Sequence, residues 1–199
     1  LADRLEIVRL MGLDPGLRYT GWGVIEARGS QLRHVADGVV ASQAGDPLPL
    51  RLRALYEGLQ ALVERYRPAE AAVERVFVNP NGASTLKLGQ ARGVALLVPA
   101  LAGIVVGEYT PRAVKSAVTG SGAATKEQVA MMVRQMLPAA SMKQADASDA
   151  LAIAICHAHH RASHSRLAAL GAAGASRPGF GAGLSQRVEG QELQERRRG

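Results

Sequence analysis

The sequence predicts an α/β fold, a five-stranded mixed sheet flanked by helices, and three observations point to it. Three apolar segments follow one another closely near the start, two of them joined by a Gly-containing turn, so the chain opens with antiparallel strands. Two short apolar segments then alternate with stretches whose leucines and valines recur at helical spacing, the pattern that brings later strands in parallel. Finally, 199 residues with 47% hydrophobic content can bury one substantial core but are too few for two ordinary domains.

Taken in order, Glu6 to Leu13 reads as a buried strand ending at Asp14, because Pro15-Gly16 breaks the run with turn chemistry. Thr20 to Ala27 and Gln31 to Ser42 form a hairpin through Arg28-Gly29-Ser30. Leu48, Leu52, Leu55, Leu59, Leu62 and Val63 mark a helix that closes near Arg67-Pro68, and Ala71 to Val76 is a short strand. A helix over Ser84 to Leu101 carries Leu86, Gly89, Gly93 and Leu97 on nearby faces, where the glycines weaken the helix but permit close backbone contact, as with a second helix. Gly103 to Tyr109 supplies the fifth strand, and Pro111 suits the first turn of a helix running to Val118. Thr125 with Gln128 is a capping box for a helix reaching about Leu137, and a last helix runs from about Asp146 to Leu167. Residues 1–170 therefore make one domain, while 171–199, rich in Gly, Ala and Arg and without a periodic apolar face, are expected to be a disordered tail.

Charge narrows the partners. The formal net charge is +7, and residues 1–170 alone keep 19 basic against 14 acidic side chains, so the folded part is basic in its own right. Most of the cations are Arg, whose planar fork suits bidentate phosphate contact. Cys156 is the single cysteine, which excludes an internal disulfide or a Cys-based zinc site and fits a reducing cytoplasm. The most apolar stretch, Gly93 to Gly107, is shorter than the roughly 20 residues a spanning helix needs and is interrupted by Pro99 and Gly103. No secretory signal is visible in the opening Leu1-Ala2-Asp3-Arg4.

Against this basic background four carboxylates stand where apolar segments begin or end: Asp14, Glu74, Asp146 and Asp149. Phosphodiester hydrolysis needs an activated water and neutralised charge on the leaving oxygen, which divalent cations held by hard oxygen ligands provide. Asp146 and Asp149 are three apart on a helix and share a face, and adjacent pairing of the first and fourth strands would bring Asp14 beside Glu74. Spacing alone leaves other readings open. Asp14 before Pro-Gly also resembles a turn residue, and Asp146 with Asp149 also resembles a helix-start signature. Glu74, flanked by Ala71-Ala72-Val73 and Val76-Phe77-Val78, requires a partner, with Arg75 or a sheet edge as candidates. His157, His159, His160 and His164 lie more than two turns beyond Asp149 and read as a solvated helix end rather than a metal cluster.

At this point the motifs become specific. Gly12-Leu13-Asp14-Pro15-Gly16 with Thr20-Gly21-Trp22-Gly23, then Val73-Glu74-Arg75-Val76-Phe77, Leu86-Lys87-Leu88-Gly89-Gln90-Ala91-Arg92-Gly93, and Gln144-Ala145-Asp146-Ala147-Ser148-Asp149-Ala150-Leu151-Ala152 closely resemble the bacterial RuvC Holliday-junction resolvases over roughly residues 6–160. The resemblance implies an RNase H-like fold, a homodimer, and Mg²⁺-dependent nicking of two opposed strands of a four-way DNA junction, with Mn²⁺ able to substitute. It places the family's acidic tetrad on Asp14, Glu74, Asp146 and Asp149, holding two Mg²⁺, and its base-stacking aromatic on Phe77, for which core packing is the plainer alternative. DNA-contacting positions match Lys115 and Lys126, with Lys87, Arg92 and Arg75 near the DNA, and the family association with the RuvA and RuvB branch-migration proteins is implied likewise. Two rivals remain: an actin-like ATPase, since Asp14-Pro15-Gly16 before a hairpin resembles a phosphate loop, and a non-catalytic DNA-binding relative. The first lacks a second Asp-Gly loop, and the second is disfavoured by the complete set of carboxylates.

Overall fold

Alternation along the first strand decides how the sheet is buried. In β1 (Val8–Asp14) Leu10 joins one apolar cluster while Met11 and Leu13 join another on the opposite face. Both faces are covered, which is why the strand is almost continuously apolar. The computed structural model describes residues 6–75 and 82–175, and the chain divides into two units, Leu1–Ala162 and Ser163–Gly199. All five strands belong to the first unit; of the second, the described part is the 163–175 stretch of the last helix.

β2 (Tyr19–Arg28) pairs antiparallel with β1 and with β3 (Gln31–Ala41), and Gly29 in the connecting turn takes a left-handed φ of 61°. β4 (Glu70–Glu74) lies parallel to β1 on its other side, and β5 (Val105–Tyr109) lies parallel to β4. The sheet order is β3-β2-β1-β4-β5, three antiparallel strands continued by parallel ones.

One face carries α1 (Leu48–Tyr66) and α2 (Gly82–Leu101), with Leu59, Val63, Ala95 and Val98 packed on Met11, Leu13, Trp22 and Val73. The other carries α3 (Pro111–Thr119), α4 (Lys126–Met136) and α5 (Ala145–Ala175), whose Val114, Val133, Leu151 and Ile155 pack on Leu10, Ile25 and Ala72. The helix ends follow their local chemistry. Arg67 closes α1 in a left-handed conformation with its N–H on the Val63 carbonyl, just before Pro68. Thr110 caps α3 ahead of Pro111, and Thr125 and Gln128 form the reciprocal capping box of α4. α5 runs beyond the expected Leu167 end to Ala175, through a segment rich in Ala, the best helix former. Residues 176–199 of the expected tail lie outside the described residues, as does Phe77.

Two glycines allow α5 to lie on the sheet. A Cβ on Gly12 would stand 2.1 Å from the Ala150 carbonyl oxygen, and one on Gly21 would stand 2.0 Å from the Asp146 carbonyl oxygen. Only a residue without a side chain fits at either point.

Candidate active site

Asp14 and Glu74 end two neighbouring parallel strands whose register pairs Leu13 with Val73, so both carboxylates emerge at one sheet edge. The period of two fixes their face as well: Asp14 follows Leu10 and Gly12, and Glu74 follows Ala72, all directed toward the layer that holds α5. Asp149, in the opening turns of α5, completes a cavity of about 270 Å³ with these two, and Lys115 of α3 and Lys126 of α4 line it from the other side. Pro111, Val114, Val129 and Ala152 supply an apolar wall. Asp146 does not line this cavity. Its backbone rests on Gly21, which pairs with Asp14 in the β1–β2 ladder, and its charge is one of those acting on Asp14.

The electrostatics follow from crowding like charges in a half-dry place. Asp14 is pushed up to about 7, first by burial and then by the charges of Asp149, Glu74 and Asp146, with Lys126 opposing. Glu74 is also raised, by burial and by Asp149, against Lys126 and Lys115. The Lys126 ammonium sits 3.3 Å from Asp149 Oδ2 and is raised in turn, chiefly by the charge of Asp149. A cluster that holds protons this tightly and draws an ammonium onto one member has the field of a cation site. Its donors are hard carboxylate oxygens, with neither Cys nor His lining the cavity, which suits Mg²⁺ or Mn²⁺ rather than a softer ion. In the conformation described the carboxylates are spread around the cavity: among the described residues no three His, Cys, Asp or Glu side chains close on a single ion position. The donor chemistry fits a hard divalent cation, and the carboxylates would have to draw inward to share one.

The family model described as crossover junction endodeoxyribonuclease RuvC matches residues 10–157, from within β1 to within α5. The chain belongs to the RuvC family. A relative of that name from Gluconacetobacter diazotrophicus is 65% identical over 82% of this chain and 97% of its own length, and one from Rhodospirillum rubrum is 60% identical over 84% and 99%. Among solved structures, T. thermophilus RuvC in complex with Holliday junction substrate aligns with a TM-score of 0.72 at 33% identity, over 79% of this chain and 97% of the other. The expected RNase H-like, five-stranded mixed sheet is thus the RuvC fold, and the match spans nearly the whole length of these relatives. The actin-like alternative falls with it.

The remaining expected site residues are distributed unevenly. Lys87 and Arg75 are exposed, and the Arg75 backbone N–H donates to the Tyr109 carbonyl. Arg92 is engaged within the chain: its Nε donates to the Glu74 carbonyl oxygen at 3.1 Å and its guanidinium pairs with Glu108. It therefore braces the end of β4 from α2, a role no spacing rule announces because the partner is a backbone oxygen 18 residues away. Two of the four histidines, His157 and His159, need correction, while His160 is exposed as expected. His157 is buried rather than solvated, with Nδ1 2.8 Å from the Tyr109 hydroxyl and Nε2 3.0 Å from Glu70, and burial holds its pKa below the usual value. His159 Nδ1 lies 3.0 Å from the Ala117 carbonyl oxygen, so α5 packs against α3 here instead of ending in solvent. Cys156 is buried and its thiol is pushed up to about 12, which removes it from nucleophilic chemistry.

Proposed function

We propose that this chain is a structure-selective endodeoxyribonuclease that resolves Holliday junctions by paired, metal-dependent nicks in opposed strands, serving recombination and repair in the cytoplasm. One observation carries the reading: Asp14, Glu74 and Asp149 share a cavity with Lys115 and Lys126 at the C-terminal edge of two parallel strands, in a chain 65% identical to a named crossover junction endodeoxyribonuclease. Asp14, Glu74, Asp146 and Asp149 would hold two Mg²⁺, with Mn²⁺ as substitute. When bound, these cations supply an activated water and neutralise charge on the 3′-oxygen leaving group.

The chain's own residues do the rest. Asp14 must give up the proton that burial and its neighbours help it retain, so cation binding and deprotonation are coupled. Lys115 and Lys126 attract the backbone phosphate, and Lys126 exchanges its contact with Asp149 for one with DNA. Val114 and Val129 keep that side of the cavity dry, which strengthens each charge interaction within it. Lys87 and Arg75, exposed on the outside, extend the basic surface, and Phe77 stacks on an unpaired base at the junction centre. Products carry 5′-phosphate and 3′-hydroxyl ends without a covalent protein intermediate.

Two opposed nicks call for two sites related by symmetry, hence a homodimer. α2 supports this: Leu86, Leu97 and Leu101 are exposed on the face where a Cβ added to Gly89 or Gly93 would meet nothing within 4 Å among the described residues. Association with RuvA and RuvB would deliver the junction. Among the described residues no helix is long and apolar enough to cross a membrane.

Asp14→Asn tests the site. Nicking of a synthetic four-way junction in Mg²⁺ is expected to disappear while junction binding persists, with linear duplex as the structural control. Nicking at the wild-type rate would overturn the assignment.

A further inference from the structure

We propose that Asp37 is a positioning residue for the active site: from the edge strand β3 it clamps the turn that precedes α5 and so sets where Asp146 and Asp149 stand. This rests on the carboxylate site proposed above. Asp37 pairs with Gly23 in the β2–β3 ladder, on the face that α5 covers, and its side chain is only 2% exposed. Across 104 residues of sequence it accepts from the Ser141 backbone N–H at 3.2 Å and from the Ser141 hydroxyl at 3.1 and 3.3 Å. Oδ2 also accepts from the Met142 N–H at 3.1 Å, and His34 Nε2 lies 2.7 Å from Oδ1. A buried carboxylate satisfied by two consecutive backbone N–H groups is a rigid anchor, because losing either leaves a polar group stranded.

The turn it holds is one that needs holding. Met142 has a φ of 42°, a left-handed conformation that a side chain other than Gly adopts only when its surroundings impose it, and the Met142 side chain is itself buried in the core beneath α5. Three residues later α5 begins, and in its first turn the Asp146 backbone rests on Gly21 without room to spare. The same short connection joins α4, which carries Lys126, to α5, which carries Asp149. A shift at Ser141–Met142 therefore moves the two ends of the Lys126–Asp149 contact relative to each other and to Asp14.

Asp37→Asn is the sharpest probe, being isosteric: in either amide orientation an NH₂ faces the N–H of Ser141 or of Met142. With the full-length protein free of metal, amide hydrogen exchange over residues 141–150 is expected to quicken, while α1 stays as in the wild type. In nicking assays on a four-way junction, the Mg²⁺ concentration for half-maximal rate is expected to rise about tenfold, with junction affinity in the absence of metal unchanged. Val63→Ala, in the opposite layer, controls for lost stability. Exchange and Mg²⁺ requirement both at wild-type values, or an equal shift in Val63→Ala, would overturn the proposal. If Asp37→Asn does not fold, Ser141→Ala, which removes only the hydroxyl contacts, must move both readouts in the same direction; wild-type values there would be equally decisive. Asp149→Asn separates the two claims. Wild-type nicking in that variant defeats the carboxylate site itself, whereas the exchange measurement judges the clamp without reference to catalysis.

Discussion

Asp14 is a side chain whose chemistry folding alters strongly, from an ordinary value of 3.8 to about 7. Because the folded state binds this proton more tightly than the unfolded chain, stability in the absence of metal is greatest below about pH 4 as far as this group is concerned and drains away as the pH climbs to about 7. Asp14→Asn removes the charge that causes the loss. The metal-free variant should therefore melt at a higher temperature than the wild type at pH 8, and the advantage should vanish near pH 4. Added Mg²⁺ should stabilise the wild type and leave the variant much less affected, since a ligand that binds only the folded state shifts the equilibrium toward it. Equal melting temperatures of the two metal-free proteins at pH 8 would show that Asp14 is not under the strain described. In the proposed site, cation binding at this position is thus held against stability, the usual consequence of gathering like charges.

At the scale of elements, α5 is the decisive one, because it brings two carboxylates to a sheet that already presents two. Its placement depends on bare backbone in β1 and β2 rather than on interdigitating side chains. Gly21→Ala would put a methyl group 2.0 Å from the Asp146 carbonyl oxygen, and the start of the helix must lift or tilt to relieve it. Overpacking of this kind costs about 1–3 kcal/mol, measurable by chemical denaturation. Nicking should fall further than that loss of stability accounts for, since Asp146 and Asp149 move with the turn; full activity alongside reduced stability would argue that the site tolerates the displacement. α2 has the complementary task, with Arg92 holding the Glu74 carbonyl from the opposite layer. Both helices act on the ends of strands whose order in the sheet is already set.

For the molecule as a whole, the exposed leucines of α2 and a net charge of +7 fit the two partners proposed above, a second copy and a polyanion. Leu97→Glu, at a side chain half exposed in the single chain, places a charge in the middle of the proposed dimer face. Sedimentation should show monomer in place of dimer, and the variant should lose coordinated incision of opposed strands while its core keeps its thermal stability. A dimer that persists would direct the search for the interface elsewhere.

Much of this was legible in the chain. The strands and helices were located closely because alternation, helical spacing, Pro-Gly turns and the Thr125–Gln128 capping box are local signals, read within a few residues. Even the common edge of Asp14 and Glu74 was anticipated, conditionally on β1 and β4 pairing, and the run from Gly12 to Gly23 together with the Asp146 region carried the family resemblance. What could not be read depends on groups far apart in sequence. Arg92, expected near the DNA, also holds the Glu74 carbonyl, His157, expected at a solvated helix end, is enclosed by Glu70 and Tyr109, and Asp37 meets its partners Ser141 and Met142 only across 104 and 105 residues of sequence. The sequence by itself determined the elements, the basic character and which acids were available. Only the tertiary structure decided which of those acids share a cavity and what braces them, because backbone oxygens, buried N–H groups and the dielectric around a carboxylate exist as partners only once the layers have packed.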